Sequence, residues 1–240
     1  MPHAQHHRGA HPEDRELFSD AAIEKLRLAA EDCVYLLDRG YATDSVVDVA
    51  ARRYALRTRQ RLALQRCICS SEQRQAREGK RLEMDGVRGT TVEVDGFNLI
   101  IGLEVALSGG LLLGGNDGAI RDLAGLRGTY RTVEETDAAL FVLGDVLREF
   151  SPSALRVWLD RPVSNSGRLK ARILERAADW AWPVEVNLTA NPDRELSGRS
   201  SVVSSDSAVL DTAASWVNLL GCAVQRNLSS AWLVDLAVAP

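Results

Sequence analysis

Four carboxylates, Asp95, Glu104, Asp160 and Asp206, mark where this chain could do chemistry. Each aspartate closes a short β-prone run: Val92-Glu93-Val94-Asp95, Arg156-Val157-Trp158-Leu159-Asp160 and Ser201-Val202-Val203-Ser204-Ser205-Asp206. Glu104 stands alone in the apolar stretch from Leu99 to Leu107. In open α/β sheets ligands bind just beyond the carboxyl ends of the strands. Clustered carboxylates raise one another's pKa unless a cation neutralises them. Mg²⁺ or Mn²⁺, hard and oxygen-seeking, is the expected cation, and either keeps waters for chemistry. Asp95, Asp160 and Asp206 are therefore the expected metal ligands, with Glu104 as a fourth ligand or a base one layer out. Such a site can activate a water against a phosphodiester. Simpler readings stay open: Asp95 could form an Asx-turn, Asp206 could only cap a helix from Ser207, and Glu104 could pair with Arg121 or Arg131.

Other residues fit a phosphate. Asn98 follows Asp95-Gly96-Phe97, and Ser205 and Ser207 flank Asp206 at a predicted helix start. Ser164 and Ser166 lie in Asp160-Arg161-Pro162-Val163-Ser164-Asn165-Ser166-Gly167, where a strand gives way to a helix and exposed N–H groups favour anions. Asp122 and Asp211 are second-rank acids without a clear placement.

The elements that must position these groups can be read from periodicity. From residue 90 onward, strand candidates at 91–95, 155–160, 183–188, 201–204 and 231–237 alternate with helices at 98–107, 133–149, 167–180 and 207–220. Such alternation implies right-handed crossovers and an α/β, doubly wound, mostly parallel sheet of Rossmann-like kind. The Gly-rich stretch 108–118 lacks the order of a dinucleotide fingerprint and reads as a turn or hairpin over one edge. Ahead of the sheet, apolar residues recur at three- and four-residue steps from Glu16 to Ser70, giving a small all-α module of three short helices. The expected division is a disordered tail at 1–14, a helical Arg-rich module at 15–80, a polar linker over 71–89 and the α/β domain at 88–240.

The net charge of −4 hides an asymmetry. Residues 51–81 hold ten basic and two acidic side chains, a local charge of +8 that leaves −12 for the rest. A basic block of this kind is the expected footprint of phosphate-backbone contact, with Arg59 and Arg61 as named contacts. A solvated helix face is the plainer alternative. All four histidines, His3, His6, His7 and His11, fall in the tail, leaving none for acid–base work at the sheet. The four cysteines lack paired zinc spacing, and without a secretion signal they fit a reducing cytoplasm. No apolar run is long enough for a membrane span.

At this point the residues reach a resemblance. Asp95-Gly96-Phe97-Asn98, Leu159-Asp160 and Ser205-Asp206-Ser207 resemble the acidic core of PIN/NYN-type metal-dependent ribonucleases. Over most of its length the chain resembles the prokaryotic family called domain of unknown function 434. The matching stretches include Leu37-Asp38-Arg39-Gly40-Tyr41, VDGFNLIIGLEVALSGG, DGAIRDLAG, YRTVEET, LDRPVSNSG and SSDSAVLD. The resemblance implies a helical module joined to a PIN-like domain. The expected function is a Mg²⁺/Mn²⁺-dependent nuclease, with nucleic acid as partner, RNA ahead of DNA, and a homodimer as an allowed state. The rivals are a non-catalytic nucleic-acid-binding or regulatory protein on the same fold and a small-molecule phosphohydrolase.

Overall fold

The computed structural model describes residues 7–125 and 128–237. The helical part comprises α1 (Asp14–Leu17), α2 (Asp20–Leu37), α3 (Thr43–Arg53), α4 (Thr58–Cys67) and α5 (Ser71–Glu78). Strand β1 (Arg81–Leu82) and a 3₁₀ turn (Met84–Val87) lead into β2 (Thr91–Asp95) and α6 (Gly96–Leu107). A hairpin, β3 (Leu111–Gly114) and β4 (Ile120–Asp122), precedes α7 (Thr136–Phe150), β5 (Ala154–Asp160), α8 (Ser166–Arg176), β6 (Val184–Thr189) and α9 (Pro192–Leu196). The chain continues through β7 (Val202–Val203), α10 (Ser207–Thr212), β8 (Trp216–Val217), α11 (Leu219–Asn227) and β9 (Trp232–Asp235).

Six strands form one all-parallel sheet in the order β1-β8-β7-β2-β5-β6. From β2 the chain winds outward through β5 to β6, then returns to β2's other side at β7. The carboxyl ends of β2 and β7 therefore flank the switch point, where a crevice opens in doubly wound sheets. The expected α/β class and parallel sheet are what the structure has. Helix α6 is buried on all sides, with the sheet, α7 and α11 around it. Its start needs Gly96, because a Cβ there would lie 2.6 Å from Leu159 Cδ2 and 2.7 Å from Val157 Cγ1.

Three expectations fail. The segment 71–89 is no linker: Ser70 and Gln73 form a reciprocal capping box for α5, Arg77 is buried, and β1 joins the sheet edge. The helix expected over 207–220 breaks into α10, β8 and α11. Trp216 is wholly buried and donates its Nε1–H to the Arg77 carbonyl at 2.7 Å, so tertiary burial overrides local helical preference. The strand near 231–237 does not extend the main sheet. As β9 it pairs parallel to β3, giving a second sheet in the order β4-β3-β9. That sheet supplies Leu111, Leu113 and Val234, and the residue just past β9 supplies Leu236, to a core shared with Leu26, Val47 and Leu64 of the helical module.

Of the expected disordered tail, residues 1–6 lie outside the described residues, while His7, Arg8, His11, Glu13 and Asp14 make specific contacts. No helix among the described residues is long and apolar enough to cross a membrane. The cysteines are free thiols, three of them buried.

Candidate functional site

Asp95 ends β2 and caps α6, accepting the Asn98 N–H at 3.4 Å through Oδ1. Its Oδ2 accepts the Ser204 hydroxyl at 2.9 Å, and Ser204 Oγ in turn accepts the Asp206 N–H at 3.1 Å. One buried serine thus fixes the first and third predicted aspartates relative to each other across β2 and β7. Asp206 caps α10 through the Ala208 N–H at 2.8 Å, so the simple capping role is real, and its carboxylate also lines a cleft. Burial pushes the Asp95 carboxyl up to about 7, with the charges of Asp206 and Asp193 adding to the rise and the two hydrogen bonds opposing it.

Asp193, in α9, was absent from the sequence-based candidates. Desolvation and then the charge of Asp206 hold its pKa above the ordinary carboxylate value. Asp160, at the end of β5, is raised by desolvation and then by Asp193. The electrostatic cluster is therefore Asp95, Asp160, Asp193 and Asp206. No strand signal marks Asp193. The sequence cue was Asn191-Pro192-Asp193, a helix start in which Asn191 accepts the Arg194 N–H. Among the described residues, no three acidic, histidine or cysteine side chains close into a metal-holding group. The donors are all oxygen and they repel, which suits a hard cation held by one or two carboxylates and water. A closed cage of three aspartates is not what the residues form.

Beside Asp206 lies a cleft of about 410 Å³, lined by Asn98, Asp122, Ser205 and Ser207 from the α/β domain and by Gln65 and Arg66 from α4. Asn98 Oδ1 accepts both the Ser205 N–H, at 2.9 Å, and the Ser205 hydroxyl, at 3.0 Å. Beneath the Ser205-Asp206-Ser207 loop runs a buried charge network. Arg121 donates to the Ser205 carbonyl at 2.7 Å and forks onto Asp117, while Arg77 bridges Asp117 and Asp211. The paired arginines hold Asp117 below the ordinary carboxylate range, although burial works the other way. Asp211 is thus a scaffold residue. Asp122 lines the cleft, raised by burial and partly relieved by Arg66 at 3.7 Å. Arg77 and Arg121 set the shape of this loop. Periodicity could not have paired Arg77 with Asp117, because that contact joins α5 to the hairpin, within which Arg121 and Asp117 lie four residues apart.

Other candidates lie elsewhere. Glu104 is fully buried, bound by Arg8 Nε at 2.5 Å, the Tyr130 hydroxyl at 2.5 Å and the Thr136 hydroxyl at 2.6 Å. It spends its oxygens there instead of on the aspartate cluster, and its partner is neither Arg121 nor Arg131. Ser164 and Ser166 are not among the cleft's lining residues. Ser164 pairs by backbone with Gly128 and Thr129, and Ser166 is buried at the start of α8. Arg59 forks onto Asp14 at 2.5 and 2.9 Å, and Arg61 pairs with Asp48. Both named arginines of the basic block are therefore engaged by carboxylates of the helical module.

Comparison with known proteins places two family models on the chain. "Domain of unknown function (DUF5616)" matches residues 84–222, and "Protein of unknown function (DUF434)" matches 25–80. Uncharacterized protein MJ0935 of Methanocaldococcus jannaschii is 32% identical over 189 residues, covering 79% of this chain and 89% of that protein. No solved structure matches. The boundary between the models falls between α5 and β2, where β1 stitches the two parts together.

Proposed function

This chain belongs to the DUF5616 family, and from its site we propose that it is a divalent-metal-dependent nuclease directed at RNA, acting at the aspartate cluster beyond β2, β5 and β7. The observation that carries the reading is Asp95, a buried carboxyl pushed up to about 7 among like charges at the sheet's switch point. Carboxylates crowded in this way are stabilised by a proton or by a cation. Asp95 and Asp206, tied through Ser204, would hold Mg²⁺ or Mn²⁺, with Asp193 and Asp160 close enough to add their field. When bound, the ion would supply charge for the reacting phosphate and a more acidic water. The chain's own part is to fix the geometry. Ser204 locks Asp95, Asn98 clamps Ser205, and Arg121 anchors the loop from below. Near neutrality Asp95 can take or give a proton at Oδ1, whose one bond among the described residues is the long one to Asn98 N–H.

A second reading has its own support. Arg57, Arg59 and Arg61 bond to Glu13, Asp14 and Asp48, which leaves less free charge for gripping a nucleic-acid backbone. A small phosphorylated substrate in the cleft would need no such grip. The test is a cleavage assay with Mg²⁺ or Mn²⁺ on RNA, single-stranded DNA and a chromogenic phosphomonoester, with Asp95→Asn as control. Metal-dependent RNA cleavage lost in the variant supports the nuclease. Turnover of the monoester alone supports the second reading.

A further inference from the structure

The cleft between α4 and the switch point presents an unusual set of unused donors. Arg66 donates through Nη1 to the carbonyls of Asp122, at 2.6 Å, and Ala124, at 3.2 Å. Those bonds orient the guanidinium while Nε and Nη2 have no hydrogen-bond partner among the described residues. The Arg66 side chain is 34% exposed, and its nearest carboxylate, Asp122, stands at 3.7 Å, too long for a tight pair. Asn98 spends Oδ1 on Ser205, so its Nδ2 donors remain. Ser207 Oγ accepts weakly from Arg77 at 3.4 Å and Arg121 at 3.5 Å, and its hydroxyl hydrogen has no acceptor among the described residues. All three residues line one cleft, with Phe97, Ile101 and Ala124 as its apolar wall and Asp122 and Asp206 as its acceptors.

Free donors on fixed scaffolds, one of them a forked guanidinium, match the oxygens of a phosphate. Carboxylates a short way off match neutral hydroxyl donors, and an apolar wall matches a base. The volume, about 410 Å³, lies within the range of small-molecule sites. We infer that this cleft is a ribonucleotide-binding site in which Arg66, Asn98 and Ser207 hold the phosphate while Asp122 and Asp206 accept from the ribose hydroxyls. The inference rests on the reading above only for its choice of a phosphoester. It adds a role for the helical module, which supplies Arg66, the one exposed cation among the described residues that line the cleft.

The experiment is calorimetric titration of the full chain with adenosine 5′-monophosphate in excess EDTA, where no hydrolysis can run. Saturable binding is expected, with the 2′-deoxy form weaker by about fivefold or more, because a site that bonds a hydroxyl penalises its loss. Arg66→Ala should weaken binding about tenfold or more. Because that change also frees two loop carbonyls, Ala124→Trp is the companion variant. It fills the cleft with Arg66 in place and should abolish binding while circular dichroism stays native. A 5′-phosphorylated trinucleotide distinguishes the sources: tighter binding than the monomer assigns the site to an RNA end, and equal or weaker binding assigns it to a free nucleotide. No binding to the folded wild type, or wild-type affinity in both variants, overturns the inference. Metal-dependent RNA cleavage without nucleotide binding would sink this inference alone. Binding without cleavage would sink only the hydrolytic reading.

Discussion

Arg8 and Glu104, 96 positions apart, meet in an ion pair whose carboxylate is wholly shut from solvent. Glu104 is also the acceptor for Tyr130 and Thr136, and Tyr130 packs against Phe97 with ring centroids 5.4 Å apart. Arg8→Ala would leave a buried charge without its counter-ion, a loss of about 3–5 kcal/mol in buried pairs. Glu104→Gln in the same background should recover much of that loss. Urea unfolding of the two single variants and the double one measures it. A change in Arg8→Ala of no more than about 0.5 kcal/mol, the size of an ordinary surface substitution, would show the pair to be dispensable.

The raised Asp95 pKa makes stability depend on pH in a definite direction. Below about pH 4 the carboxyl is protonated in both folded and unfolded chains and costs nothing. Between about 4 and 7 the unfolded chain ionises while the folded one holds its proton, so this group's contribution falls as pH rises. Above about 7 the folded site carries the full cost of a buried charge. Asp95→Asn, which keeps a capping oxygen, should therefore flatten the profile and gain on the order of a few kcal/mol at pH 8. Melting curves from pH 4 to 8 decide it. Parallel profiles for both proteins would mean that Asp95 ionises freely.

Metal binding should share that pH dependence, because a cation competes with the proton. Millimolar Mn²⁺ or Mg²⁺ should raise the Tm more at pH 8 than at pH 6, with no special advantage for Zn²⁺. Asp206→Asn and Asp193→Asn should each weaken the effect, whereas Glu104→Gln should leave it unchanged. An absence of stabilisation at pH 8 in the intact fold would count against the cluster as a cation site.

Salt dependence separates scaffold arginines from ligand-facing ones. Each phosphate contact on single strands contributes a log–log slope of about 0.7. Arg59→Ala should change the slope by well under that amount and instead lower stability, because Asp14 is left buried and unpaired. Arg66→Ala should shallow the slope by about one contact. A large slope change in Arg59→Ala would restore the basic block as a nucleic-acid face.

Much of the site was legible because its signals are local. Asp95-Gly96-Phe97-Asn98 announces a strand end, a close approach and a cap within four residues. Asp160 and Asp206 likewise carry their strand context with them. Glu104 was correctly singled out as a buried charge needing a partner, yet that partner, Arg8, lies where the composition suggested disorder. Asp193 escaped because its meaning is long-range, and so is that of Arg77, which reaches Asp117 and Asp211 from another element; Arg121 and Asp117 are near in sequence, but across a hairpin turn that no helical period marks. The +8 block was counted correctly, but formal charge does not record pairing with Glu13, Asp14 and Asp48.

Strand β9 carries a consequence for how this molecule is made. The helices α2 to α4 are made before the whole of the parallel sheet, yet the floor of their core includes Val234 and Leu236, which follow that sheet in the chain. Until β9 slides in beside β3, Leu26, Val47 and Leu64 lack part of their cover, and sequence-distant pairing of this kind is slow. The nascent helices are thus exposed until β9 has been made, a window in which chaperones or premature association would act. A stalled chain that ends before Trp232 would therefore hold its first helices unsealed, however complete its parallel sheet.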